Sequence, residues 1–123
     1  MKEIQIKIEE IIIKATLDDT PTAEAIFKAL PLSGKVNTWG DEIYFTVPLK
    51  IDLELNAKQE VEIGDLGYWE YGPAFCIFFG PTPVSKDKKP AAYSPVNVFG
   101  KVSGDTKMLK KVKEGMRIIV EPD

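Results

Sequence analysis

The sequence predicts a mainly β protein: a closed or nearly closed β-barrel carrying one main α-helix at about residues 21–30 and a short second helix at about residues 105–112. Two observations lead there. Short runs in which apolar residues recur at every second position, bounded by Gly, Pro or Asp, fill much of the chain, and a period of two marks a half-buried strand. Helical spacing shows only at the two places named, with no strand-helix-strand alternation, and short strands without that alternation make barrels rather than parallel sheets. A length of 123 residues suits one domain with one core, since a chain of that size buries roughly two thirds of its unfolded surface.

Each element has its own signal. Ile4, Ile6 and Ile8 alternate with charged or polar residues, as do Ile11, Ile13, Ala15 and Leu17 after Glu9-Glu10; the pattern is an antiparallel hairpin with one apolar face. Glu-Glu is poor chemistry for a tight primed turn, so a wider or bulged loop is expected there. Thr20 followed by Pro21 supplies an N-cap and a proline at the first helical position, and Ala23, Ile26, Phe27 and Leu30 recur at helical spacing. From Val36 the period returns to two, with KVNTW and EIYFTV joined by Gly40-Asp41, a dipeptide suited to a hairpin turn. A strand at 60–63 closes on Gly64-Asp65, a short aromatic strand covers 68–71, and Gly72-Pro73 turns the chain into AFCIFF at 74–79, a continuous apolar run covered on both sides. Residues 84–95 read as a long loop carrying Lys86, Lys88 and Lys89, and PVNVFGKV at 95–102 as the next strand. Asp105 caps a short helix through Met108, Leu109 and Val112, Gly115 stops it, and a last strand covers 116–121.

Composition removes several classes of function. The net charge of −3 gives no long-range attraction to phosphate backbones or anionic lipid, so neither nucleic acid nor membrane is an expected partner. Charge interrupts the N-terminal segment every few residues and Cys76 is the only cysteine, which points to the cytoplasm. Fifteen of the sixteen basic residues are lysine, a bias associated with thermophile proteins. Histidine is absent, and with it go the usual general base, the commonest metal ligand and every Ser-His or Cys-His nucleophile pair. No phosphate-cradling loop and no metal-ligand spacing appears, so no cofactor or metal is expected. Cys76, inside an apolar run with no basic neighbour, reads as inert packing. Asp41 and Asp65 each follow a turn glycine, where short carboxylates serve local backbone donors; Glu42 and Glu70 lack that explanation.

Three stretches, NTWGDEIYF at 37–45, GDLGYWEYGPAFCIFFGPTP at 64–83 and PVNVFGKV at 95–102, resemble the cyclophilin-like domain family of small bacterial and archaeal proteins. The resemblance implies a cyclophilin-type barrel with few helices and an activity that is largely unassigned. Similarity to true cyclophilins is weaker: VFGKV at 98–102 looks like a cyclophilin strand, and Phe78-Phe79 is placed like that family's aromatic pocket floor. Cyclophilins lower the amide rotation barrier of about 18–20 kcal/mol with an arginine and bind the proline ring in a pocket bordered by histidine. The one arginine here, Arg117, lies in the last strand, and no histidine exists. Efficient prolyl isomerase activity is therefore not expected.

The aromatic residues of the middle third cannot all face one side of alternating strands, so part of the set is core and the rest lines a cleft. Pattern and resemblance together name Trp39, Tyr44, Trp69, Tyr71 and Phe79 as its apolar wall, with Glu42, Thr82 and Tyr93 as polar contacts. The expected ligand is a small molecule or an extended, proline-containing peptide. Two alternatives stand beside this binding module: a weak isomerase using Phe79 and a loop lysine, and an accessory domain of an amide-cleaving enzyme complex.

Overall fold

The computed structural model describes residues 2–123. Strand β1 (Lys2–Ile8) pairs antiparallel with β2 (Ile11–Leu17), with Ile8 opposite Ile11. The Glu9-Glu10 connection is thus a tight two-residue turn, not a wide or bulged one. Glu9 takes φ 53°, a left-handed conformation unusual for a side chain of its size. The turn holds because Glu9 is fastened at both ends to Arg117: its N–H donates to the Arg117 carbonyl at 3.1 Å, and its carboxylate accepts from the Arg117 N–H at 2.8 Å.

Helix α1 (Pro21–Ala29) begins where the cap signal puts it, with the Thr20 hydroxyl accepting from the Ala23 N–H at 3.1 Å. It buries Ala23 and Ile26 in the main core. β3 (Leu32–Lys35) follows at once, earlier than the period-two signal at Val36. β4 (Asn37–Thr38) and β5 (Glu42–Thr46) flank the Gly40-Asp41 turn, closed by reciprocal Trp39–Glu42 backbone bonds. β6 (Lys58–Glu60) ends where the sequence pattern starts a strand, and β7 (Asp65–Trp69) begins within what reads as a turn. β8 (Ala74–Phe78) is the AFCIFF run, with all five residues buried. β9 (Ala91–Ser103) is the longest strand, and its first four residues overturn the expected loop end at Pro95. The expected second α-helix is a 3-10 helix (Lys107–Lys111), a form suited to very short runs. Asp105 still accepts from the Lys107 N–H, and Leu109 is its one buried residue. β10 (Arg117–Pro122) completes the chain.

Nine strands form one path in the order β3-β10-β1-β2-β9-β7-β8-β5-β4, with β6 attached to β9. The expectation of a closed or nearly closed barrel is met only in part, because hydrogen bonds do not close the sheet. Its two edges, β3 and β4, are consecutive in sequence and separated only by Val36. β3 also packs close to β5: a Cβ on Gly34 would lie 3.2 Å from Phe45.

Parity along the strands sorts the side chains into two clusters. Ile4, Ile6, Ile8, Ile43, Phe45, Leu66, Tyr68, Phe75, Ile77 and Phe99 belong to the main core inside the curved sheet. Ala74, Cys76 and Phe78 face the other way and form a second cluster with Val61, Ala92 and Val96. β8 is therefore covered on both sides, as its unbroken apolar run implies.

The irregular segment 47–57 is pinned by buried polar groups. Tyr68 donates its hydroxyl to the Leu49 carbonyl at 2.7 Å and accepts from the Ile51 N–H at 3.0 Å. Asn97 accepts from the Glu54 N–H and donates to the Asp52 carbonyl and the Thr22 hydroxyl. Glu54 in turn accepts from the N–H and hydroxyl of Thr22, so its carboxylate sits at the N-terminus of α1, where the helix dipole favours negative charge.

Candidate functional site

The second cluster leaves a pocket of about 200 Å³ on the outer face of the sheet. Its construction follows from register. In the Gly40-Asp41 turn, with Gly40 at φ 60°, Trp39 and Glu42 exchange both backbone bonds and so project to the same face. Tyr44, two residues after Glu42, shares that face and lies opposite Cys76, which lies opposite Gly67. Two small residues in one row keep the middle of the sheet low. A Cβ on Gly67 would come within 2.9 Å of Val96 and 3.1 Å of Phe78, so the glycine lets Val96 settle beside the floor. Trp69 rises from the end of β7 with its indole N–H donating to the Ser94 hydroxyl at 2.7 Å. Tyr93 stands between the indoles, its ring centroid 6.1 Å from Trp39 and 6.2 Å from Trp69, at interplanar angles of 68° and 79°.

The structure brings together five of the eight residues named from sequence: Trp39, Glu42, Tyr44, Trp69 and Tyr93 line the pocket. Tyr71 is 73% exposed and meets Trp69 edge to face at 6.2 Å, outside the lining. Phe79 is only 6% exposed and belongs to the main core, because it shares strand parity with Phe75 and Ile77. Thr82 is buried in loop bracing: its hydroxyl donates to the Ala91 carbonyl, and its N–H donates to the Ser85 hydroxyl at 2.9 Å. Thr82→Val is expected to cost about 1–2 kcal/mol, the usual penalty for stranding a buried acceptor, in a denaturant titration, without altering the pocket.

The lining residues that the sequence reading did not name are Cys76, Ala92 and Val96. Parity with Phe78 gives the outward direction of Cys76; Ala92 falls in the stretch read as loop. Lys86 and Lys89 line a separate depression with Glu60 and Asp87, and Lys89 pairs with Glu62 at 2.7 Å. The loop lysines do not reach the aromatic pocket.

Glu42 is the one carboxylate in the lining and is 6% exposed. Burial raises its pKa from 4.5 to about 7, and hydrogen bonding with the Cys76 thiol partly offsets the rise. Burial also pushes the thiol well above its ordinary value, and the neighbouring Glu42 pushes it further. Tyr44 moves up through burial first, then the charges of Glu42 and Glu114. A thiol held protonated is a poor nucleophile, so the titratable centre of the pocket is Glu42. Among the described residues no group of three or more acidic or cysteine side chains is placed to hold a metal, and no helix is long and apolar enough to cross a membrane.

Fold and site together define a small, mainly β protein with an aromatic pocket on the outer face of a curved sheet that hydrogen bonds do not close. The chain belongs to the cyclophilin-like family, whose profile matches residues 2–121. A hypothetical protein of Archaeoglobus fulgidus, known from a solution structure, is 41% identical over 99% of this chain and 95% of its own, with a TM-score of 0.82. McbB, solved in complex with tryptophan, shares the fold with a TM-score of 0.76 at 14% identity; the match covers 98% of this chain and 44% of McbB. No curated protein sequence matches.

Proposed function

We propose that the protein is a binding module that holds a compact molecule, or one side chain of an extended peptide, in the pocket between Trp39, Tyr44, Trp69 and Tyr93. The observation that carries this reading is an aromatic cavity of about 200 Å³ organised around a single buried carboxyl. Pockets for drug-sized ligands run to roughly 300–1,000 Å³, so the volume favours a smaller occupant. McbB, 44% of which is matched by this chain, was solved in complex with tryptophan, a small molecule of the size this pocket suits. The isomerase alternative gains nothing from the geometry: Phe79 is in the core, and the pocket lining contains neither arginine nor lysine.

The test is an NMR titration with neutral and cationic fragments such as indole, p-cresol and benzylamine, following the indole N–H resonances of Trp39 and Trp69. Saturable shifts of both resonances are expected. Trp69→Ala, folded by circular dichroism, should lose binding, read on the remaining Trp39 resonance. Silence towards every fragment, or unchanged binding by the variant, would refute the reading.

A further inference from the structure

We infer that the ligand of the aromatic pocket is a small organic ammonium ion, its cationic head held against the rings of Trp39, Trp69 and the exposed Tyr93 and paired with the carboxylate of Glu42. The inference rests on the pocket reading above and adds the chemistry of the occupant.

Three features combine. Trp39 and Trp69 each stand steeply to Tyr93, with centroids about 6 Å apart, so the three rings are adjoining walls rather than a stack. Ring faces attract cations, with Trp the strongest, and an enclosure of several rings is the usual solution for alkylated ammonium groups. The second feature is the charge deficit. Glu42 is buried, yet none of the eight lining residues is lysine or arginine. A buried carboxylate without a counter-charge is costly, and a cationic ligand supplies the missing charge, whereas an anion would meet the carboxylate and a neutral apolar molecule would leave it with the Cys76 thiol alone. The third feature is the fixed frame: the Trp69–Ser94 hydrogen bond and the two-residue turn between Trp39 and Glu42 set the walls before any ligand arrives, which lowers the ordering cost of binding.

The titratable groups around Glu42 are the Cys76 thiol on β8, the Tyr44 phenol on β5, the Tyr93 phenol on β9 and the neighbouring Asp41 in the turn, with Glu114 beyond Tyr44. The thiol and the Tyr44 phenol are both shifted upward. Glu42, near 7 in the free protein, must give up its proton to pair with the ammonium ion, so binding releases a proton below neutrality and strengthens as pH rises through that value.

The experiment compares choline with 3,3-dimethyl-1-butanol, its uncharged counterpart in which carbon replaces nitrogen. Binding is followed by calorimetry and by the Trp39 and Trp69 indole resonances. Choline should bind at least about tenfold more tightly than the alcohol, the scale of an enclosed cation–π and ion-pair contact. Its affinity should rise by about tenfold from pH 6 to pH 8, as expected for an acid titrating near the middle of that range. Glu42→Gln, checked for folding by its thermal transition, should lose the pH dependence and the ion-pair share of the preference, leaving the smaller share due to the rings, while retaining the alcohol. Equal binding of choline and the alcohol, or choline affinity untouched in Glu42→Gln, would overturn the ammonium assignment and leave the pocket reading standing. If neither compound binds, the assignment also fails, and the indole and p-cresol titrations then decide whether the pocket itself survives.

Discussion

At pH 8 the ligand-free Glu42→Gln variant is expected to be more stable than the parent protein by up to about 3 kcal/mol, and the difference should close as pH falls to about 4.5. The sign follows from proton counting. The Glu42 carboxyl titrates near 7 in the folded chain against an ordinary 4.5, so between those values the folded protein holds a proton that the unfolded chain has released. Parent stability therefore falls as pH rises through that window and levels off above it. Glutamine fills nearly the same space without a charge and removes this dependence. Denaturant midpoints at several pH values, taken with unchanged slopes, read the effect directly. A parallel pH profile for parent and variant would show that Glu42 is not the group responsible. A carboxyl kept at such a cost inside an apolar pocket is a functional candidate on physical grounds.

Asn97→Ala is expected to destabilise the protein by about 3 kcal/mol, because it removes one side chain that satisfies several buried polar groups at once. Asn97 is 1% exposed, and its amide joins the Glu54 N–H, the Asp52 carbonyl and the Thr22 hydroxyl at 2.8–3.0 Å. These partners lie on the irregular segment 47–57 and on α1, so the loss should loosen both together. Hydrogen exchange of the Glu54 amide, accelerated well beyond the global loss of stability, would identify the local mechanism. Uniform acceleration across β1 and β2 as well would mean that the segment does not open independently of the sheet.

Much of this was legible in the residues, and the failures are instructive. Thr20-Pro21 marks the start of α1 because capping is a local matter settled by a few atoms. Gly40-Asp41 locates the turn that places Trp39 beside Glu42 for the same reason. β9 is different. Its first residues lie between Pro90 and Pro95 and after the lysine loop, so no uninterrupted alternation announces a strand; long-range pairing with β6 makes one. Phe79 lies in the core although its aromatic neighbours suggest a cleft, since its parity with Phe75 and Ile77 points inward. Cys76 has the opposite parity and lies in the pocket floor. The unexpectedly tight Glu9-Glu10 turn depends on Arg117, distant in sequence, and is invisible to any local rule.

The succession of β3 and β4 through Val36 has a consequence for behaviour in crowded solution. Apart from the short, fully exposed β6, the nine-strand path ends in two unpaired strand margins on which another chain could grow, and such margins are the usual starting points of ordered aggregates. Here the two margins meet at one bend: the Val36 N–H donates to the Met116 carbonyl at 2.8 Å, and the Val36 carbonyl accepts from Gly115, also at 2.8 Å. At that bend an incoming strand finds backbone groups already committed, with only the two residues of β4 on one side and the four of β3 on the other. The seam left open by hydrogen bonding is thus too short and too bent to act as a template.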